Sequence, residues 1–208
     1  IENEQVSTVG TWPPRSGISV NGGSNVAIQN CYIHGWSIQN PNTGSDYYPL
    51  GGIAFYNGAA GGTVKNCTLD GGPRNDSGTG IYGGAVIQGN IIKNMPNGIV
   101  ITDPGTDVSG NQVFNVTYSA DSIRQSNAIL AIGGGNIHNN IVHDVVPGAF
   151  AIYLESAWYE IANTQNVYNN LVWNSGDNVP ITIDPDGMDG YIQSNQYIYN
   201  NTLSGGSV

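Results

Sequence analysis

Val167-Tyr-Asn-Asn-Leu-Val172 is one of seven copies of a single short pattern: aliphatic, any residue, Asn or Gly, Asn or Cys, any residue, aliphatic. The others are Ile28-Gln-Asn-Cys-Tyr-Ile33, Val64-Lys-Asn-Cys-Thr-Leu69, Ile87-Gln-Gly-Asn-Ile-Ile92, Val108-Ser-Gly-Asn-Gln-Val113, Ile137-His-Asn-Asn-Ile-Val142 and Ile198-Tyr-Asn-Asn-Thr-Leu203. The aliphatic pair is five apart in every copy. Successive copies end 36, 23, 21, 29, 30 and 31 residues apart. Repeats at such periods mean a solenoid, in which each unit buries its apolar face by stacking on the next.

The odd separation decides the shape of the unit. Residues on one face of a strand are an even number apart. Two inward-pointing anchors five apart therefore require the alternation to break between them. A sharp corner does this by asking one residue to enter left-handed backbone space, which Asn and Gly tolerate best. They fill the middle of all seven copies. A second strand signature precedes most motifs: Gly17-Ile-Ser-Val20, Gly52-Ile-Ala-Phe55, Gly80-Ile-Tyr82, Gly98-Ile-Val-Ile101, Ala128-Ile-Leu130, Ala149-Phe-Ala-Ile152 and Pro180-Ile-Thr-Ile183. Each coil is thus expected to hold about three short strands joined by corners, with loops of varied length inserted there. Thirty Gly and ten Pro would break helices throughout. The apolar runs are rich in Val, Ile, Thr and Tyr, as strands prefer. A β-sandwich also has short strands and turns, but it does not explain one bend returning seven times.

The stretch Gly22-Gly-Ser-Asn-Val-Ala-Ile-Gln-Asn-Cys-Tyr-Ile33 resembles a rung of the right-handed parallel β-helix proteins. So does Ala151-Ile-Tyr-Leu-Glu155 followed by Val167-Tyr-Asn-Asn-Leu-Val172. The pectate-lyase-like superfamily and the generic β-helix repeat proteins share this style, and the resemblance covers nearly the whole chain. It implies an all-β, single-stranded right-handed parallel β-helix of about seven coils. Its shared residues are scaffold residues, and the superfamily spans polysaccharide lyases, glycoside hydrolases, sugar epimerases, phage tailspikes and surface adhesins. Coils stack about 4.8 Å apart, so equivalent residues form ladders. Asn90, Asn111, Asn140, Asn170 and Asn201 should make one, their amides bonding to one another and to the corner backbone. Cys31 and Cys67 share a motif position in the first two coils and should be neighbours, either as stacked buried thiols or as a disulfide.

At 208 residues the chain reads as one domain, 1–208, forming a rod about 30 Å long. It has no initiator Met, signal peptide, transmembrane run or obvious helical cap. It therefore reads as a processed product, a fragment or a segment of a larger assembly, with end-to-end stacking between copies as one option. A net charge of −10 with only five basic residues argues against nucleic acid as a partner, and membrane insertion is not expected. Sparse charge and abundant Asn, Gly, Ser, Thr and Tyr point to an extracellular or cell-surface protein. Among four sequons, Asn66 and Asn200 fall in expected corners, whereas Asn75 and Asn115 are the candidate glycan sites.

Acidic residues gather just past the first strand of later coils: Asp103, Glu155, Asp184 and Asp186. Glu155 and Asp184 belong to the same corner of adjacent coils. In register, their carboxylates would lie within roughly 5–10 Å, a range that covers retaining and inverting glycosidase pairs. Solvated turn acids are the alternative. Asp184-Pro-Asp-Gly-Met-Asp-Gly190 alternates oxygen ligands with turn formers, so Asp184, Asp186 and Asp189 are candidate Ca²⁺ ligands. The EF-hand Glu is missing, since Asn195 stands at the twelfth position, and a metal-free turn is the equal alternative. Tyr153, Trp158 and Tyr159 beside these acids are candidate sugar-binding rings. Tyr47, Tyr48 and Trp36 suggest a second aromatic patch. His34, His138 and His143 read as solvated or ladder residues, with no metal spacing. The Gly133-Gly-Gly135 run has no helix after it and is no phosphate loop.

Lyase chemistry on polyuronates needs a base and cations, yet Arg15, Lys65, Arg74, Lys93 and Arg124 are scattered over different coils. Hydrolase therefore ranks above lyase, although the adjacent Asp residues and Gly-His-Gly of pectin-cleaving hydrolases are absent. Three functions stay open. One is a secreted enzyme on a neutral or weakly charged polysaccharide or oligosaccharide, with Glu155 and Asp184 or Asp186 sharing acid and base roles. The second is a glycan-binding module, and the third is a structural rod such as a fibre, sheath, adhesin or tailspike segment.

Overall fold

The computed structural model describes residues 5–7, 16–36, 51–56, 59–72, 78–118, 126–155, 164–176, 179–184 and 195–205. These form 22 short strands and no helix. Among the described residues, seven coils each contribute one strand to each of three parallel sheets, and Gln5–Ser7 adds an eighth strand to the third. The first sheet stacks Ile18–Asn21, Gly51–Tyr56, Thr79–Tyr82, Asn97–Ile101, Asn127–Ala131, Phe150–Glu155 and Ile181–Asp184. The second stacks Ala27–Gln29, Thr63–Lys65, Val86–Gln88, Thr106–Ser109, Gly135–His138, Thr164–Tyr168 and Asn195–Tyr199. The third has eight strands: Gln5–Ser7, Tyr32–His34, Thr68–Asp70, Ile91–Met95, Gln112–Val116, Ile141–Val145, Leu171–Trp173 and Thr202–Ser204. The motif therefore reads as expected, with its first half ending a strand of the second sheet and its second half opening a strand of the third.

The corner is made by the residue the pattern singled out. Asn30, Asn66, Asn139, Asn169 and Asn200 have φ between 53° and 56°. Gly89 and Gly110, at 68° and 64°, take the same place in the two coils that lack Asn there. The corner turns both anchors inward. Ile28, Ile33, Val64, Leu69, Ile87, Ile92, Val108, Val142, Val167 and Val172 are all 0% exposed and belong to one continuous core. Ile53, Ile81, Ile99, Ile129 and Ile152 of the first sheet complete it.

The residue after each corner builds the ladder. Asn140 shows the pattern: its Nδ2 donates to Val108 O at 2.9 Å and to Asn170 Oδ1 at 3.0 Å. Its Oδ1 accepts from Asn111 N and Asn111 Nδ2, both at 3.0 Å. Both donors and both acceptor sites of the amide are thus used, which is what a buried carboxamide requires. Asn111 and Asn170 repeat this, Asn90 makes three of the four bonds because Cys67 offers its oxygen only a backbone amide, and Asn201 ends the row. At the other end Cys67 N donates to Asn90 Oδ1, and Cys31 N to Cys67 Sγ at 3.5 Å. Both cysteines are buried and are not joined by a disulfide in this structure.

A second ladder that the sequence reading did not anticipate runs along the corner after the third sheet. Asn94, Asn115, Asp144 and Asn174 have φ of 50–62°, and the Nδ2 groups of Asn94 and Asn174 reach Asp70 and Asp144 at 2.7 and 2.6 Å. The glycine run also has a packing reason. A Cβ on Gly133 would lie 2.7 Å from the Thr102 backbone, and one on Gly135 would lie 2.2 Å from Thr106 O. One expectation is corrected here. Trp36 is not part of a surface patch but fully buried, its indole reaching into the core beside Gly52.

Candidate functional site

The end of the first sheet brings two of the singled-out acids together. Phe150–Glu155 pairs with Ile181–Asp184 in parallel, and the register sets Tyr153 against Thr182 and Glu155 against Asp184. Residues in register on neighbouring parallel strands point to the same face, about 4.8 Å apart. In this sheet the faces are distinct. Ile99, Ile101, Ile129 and Ile152 enter the main core, while Val100, Leu130 and Tyr153 form a separate cluster with Ile132, flanked by Tyr82 and Phe150. Tyr153 thus leaves the sheet on the outer side, as expected, but it is only 4% exposed. Its hydroxyl donates to Asp184 Oδ2 at 2.5 Å. Glu155 and Asp184 are both half-buried. Hence the corner sets Glu155 and Asp184 in register on one face of neighbouring strands, with the Asp184 carboxyl held by a buried phenol at the rim of an apolar outer face.

Gln165, which the sequence reading passed over, anchors this corner. It is fully buried, and its Nε2 donates to Ala131 O, Gly133 O and Glu155 O at 3.1–3.4 Å. Its Oε1 accepts from Gln196 Nε2 in the next coil. Asp103 lies apart, exposed in a turn two coils before Glu155. Trp158, Tyr159, Asp186 and Asp189 lie outside the described residues, as do Tyr47, Tyr48 and Asn75. Of the candidate calcium ligands only Asp184 is described. Among the described residues no three His, Cys, Asp or Glu side chains are grouped to hold a metal ion.

The other two faces carry stacked side chains. His138 lies face to face with Tyr168, and Tyr168 with Tyr199, at 4.7 and 5.0 Å. On the third sheet His143 is sandwiched between Phe114 and Trp173 at 4.9 and 4.4 Å. His138 and His143 are ladder residues, one of the two expected states, while His34 stacks on Tyr32 of its own strand. Each ladder histidine has a carboxylate partner at 2.8 Å, Asp107 for His138 and Asp144 for His143. Desolvation alone would raise the Asp70 carboxyl. Hydrogen bonds from Asn94 and the Gly72 amide, with the Lys93 ammonium 3.2 Å away, outweigh it and hold Asp70 below the usual carboxylate range. The Asn174 amide, aided by His143, holds Asp144 low as well. Within these rows the rings stack face to face along the axis.

Comparison with known families finds a match between residues 1–146 and the family described as "right handed beta helix region". The same ladder and sheets continue through Ser204. No curated protein and no solved structure matches the chain.

Proposed function

This chain belongs to the right-handed β-helix family, and from that premise we propose that it is an extracellular carbohydrate-interacting protein. Its site is the outer rim of the first sheet, and its reaction is glycoside hydrolysis. The observation that supports this reading is the side-by-side register of Glu155 and Asp184, with Tyr153 hydrogen-bonded to Asp184. Fold likeness alone would not carry an activity.

Adjacent rungs set the two Cα atoms about 4.8 Å apart, which lets the carboxyls of Glu155 and Asp184 reach the roughly 5–5.5 Å separation of retaining glycosidases. In that chemistry Asp184, oriented by Tyr153, attacks the anomeric carbon. Glu155 protonates the departing glycosidic oxygen and then, as a base, activates the water that releases the sugar. Trp158 and Tyr159, in the insertion that follows Glu155, would supply ring faces for the sugar. Asp186 and Asp189 would hold Ca²⁺ with Asp184; that use competes with the nucleophile role, so calcium is a variable of the test. A lyase fits less well. Lys65 and Lys93 stand on the second and third sheets, and Lys93 is paired with Asp70.

The test is product release from a panel of neutral and acidic polysaccharides, with and without Ca²⁺, by the chain and its Glu155→Gln variant. Release by the parent that the variant loses supports the site. Equal release by both moves the chemistry elsewhere, and binding without release supports a glycan-binding module. A structural rod is the second reading, supported by the unbroken stacking of coils in three parallel sheets. Concentration-dependent end-to-end association in sedimentation velocity would support that reading.

A further inference from the structure

We propose that Cys31 and Cys67 are a cross-linking site, closing an inter-coil disulfide when the chain meets a low-molecular-weight disulfide oxidant. The two residues hold the same ladder position in the first two coils. Register fixes them from both sides, with Gln29 against Lys65 and Tyr32 against Thr68. Adjacent rungs set their Cα atoms about 4.8 Å apart, inside the roughly 4.4–6.8 Å range of disulfides. The Cys67 side chain leans back toward the first coil. Its Sγ accepts the Cys31 amide at 3.5 Å, lies 3.8 Å from Ile28 O, and is in hydrogen-bonding contact with the Cys31 thiol.

The ladder does not need sulfur for its own sake. In the later coils the corresponding amide meets a carboxamide oxygen at 2.9–3.0 Å. The Cys31 amide has a weaker sulfur acceptor at longer range. As hydrogen-bonding elements two cysteines are inferior to two asparagines here. What they add is the capacity for a covalent bond between two coils.

With oxidised glutathione the electrons balance as follows. One cysteine, as thiolate, attacks the glutathione disulfide and releases one reduced glutathione. The other cysteine displaces the second glutathione, forming the Cys31–Cys67 bond. The protein loses two hydrogens and one oxidised glutathione becomes two reduced ones. Burial pushes the Cys67 thiol up to about 11, which slows attack in the folded protein, so closure belongs to the folding stage.

The experiment is to refold reduced, denatured chain in a glutathione redox buffer, trap remaining thiols by alkylation and map the peptides by mass spectrometry. The expected product is one linked peptide pair containing Cys31 and Cys67. Its thermal midpoint should exceed that of the same sample after dithiothreitol by roughly 5–10 °C, from a closed loop of this size. A Cys31→Ser chain should show no such dependence on dithiothreitol. Alkylated or singly glutathionylated cysteines at equilibrium would overturn the proposal, as would a linked product whose midpoint fails to rise.

Discussion

Replacing Asn140 by Ala removes four side-chain hydrogen bonds from the middle of the ladder, all of 2.9–3.0 Å. It also leaves an amide and a carboxamide of Asn111, the Val108 carbonyl and the Asn170 oxygen short of a partner in a site 1% exposed. At about 1 kcal/mol net per bond, the loss is about 4 kcal/mol. That is a large share of the roughly 5–15 kcal/mol that holds a typical domain. Asn201→Ala is the internal comparison. Asn201 makes three such bonds and is half-buried, so water replaces part of what is lost; about 2 kcal/mol is expected. Urea unfolding followed by circular dichroism reads both. With a slope of about 2 kcal/mol/M the midpoint falls by about 2 M for Asn140→Ala and about 1 M for Asn201→Ala. If Asn140→Ala costs no more than Asn201→Ala, or under about 1 kcal/mol, the amide ladder is not a principal stabiliser of the coil.

Gly110 occupies the corner position that five other coils fill with Asn, at φ 64°. Gly110→Asn should therefore be neutral within about 0.5 kcal/mol, while Gly110→Val should cost at least 1–2 kcal/mol by the same urea assay. Trp36→Ala empties a fully buried site and should cost about 3–5 kcal/mol, whereas a surface ring would cost little. Asp70 has a folded-state pKa below its ordinary value. Its contribution is present above the unfolded value of about 3.9 and is lost as pH falls through the lower folded value. Thermal midpoints measured from pH 5 downward should fall less steeply for Asp70→Asn than for the parent, and equal slopes would sink the assignment.

The corner could be read before any coordinates because it is a local steric demand. Asn30, Asn66, Asn139, Asn169 and Asn200 enter left-handed space whatever surrounds them. The odd spacing of Ile137 and Val142 then fixes where both side chains go. The Asn90-to-Asn201 row follows from stacking identical corners, so it too was legible, as was the pairing of Glu155 with Asp184. Gln165 was not. Its amide gathers Ala131 O, Gly133 O and Glu155 O from two neighbouring coils, and no local pattern reports those partners. The rings on either side of His143, Phe114 and Trp173, were not legible for a similar reason. Each ring looks like an isolated outward residue until the register aligns three coils.

By itself, then, the sequence determined the solenoid, its corners, its core anchors and its inner ladder, because each depends on backbone sterics repeated at a fixed place. Only the tertiary structure decided that Trp36 is a core residue, that Tyr153 meets Asp184 through its hydroxyl, and that a second Asn and Asp row lines another corner. Those outcomes depend on which side chains neighbouring coils bring within about 3 Å of one another, and loops of unequal length between motifs leave that alignment unwritten in any single coil.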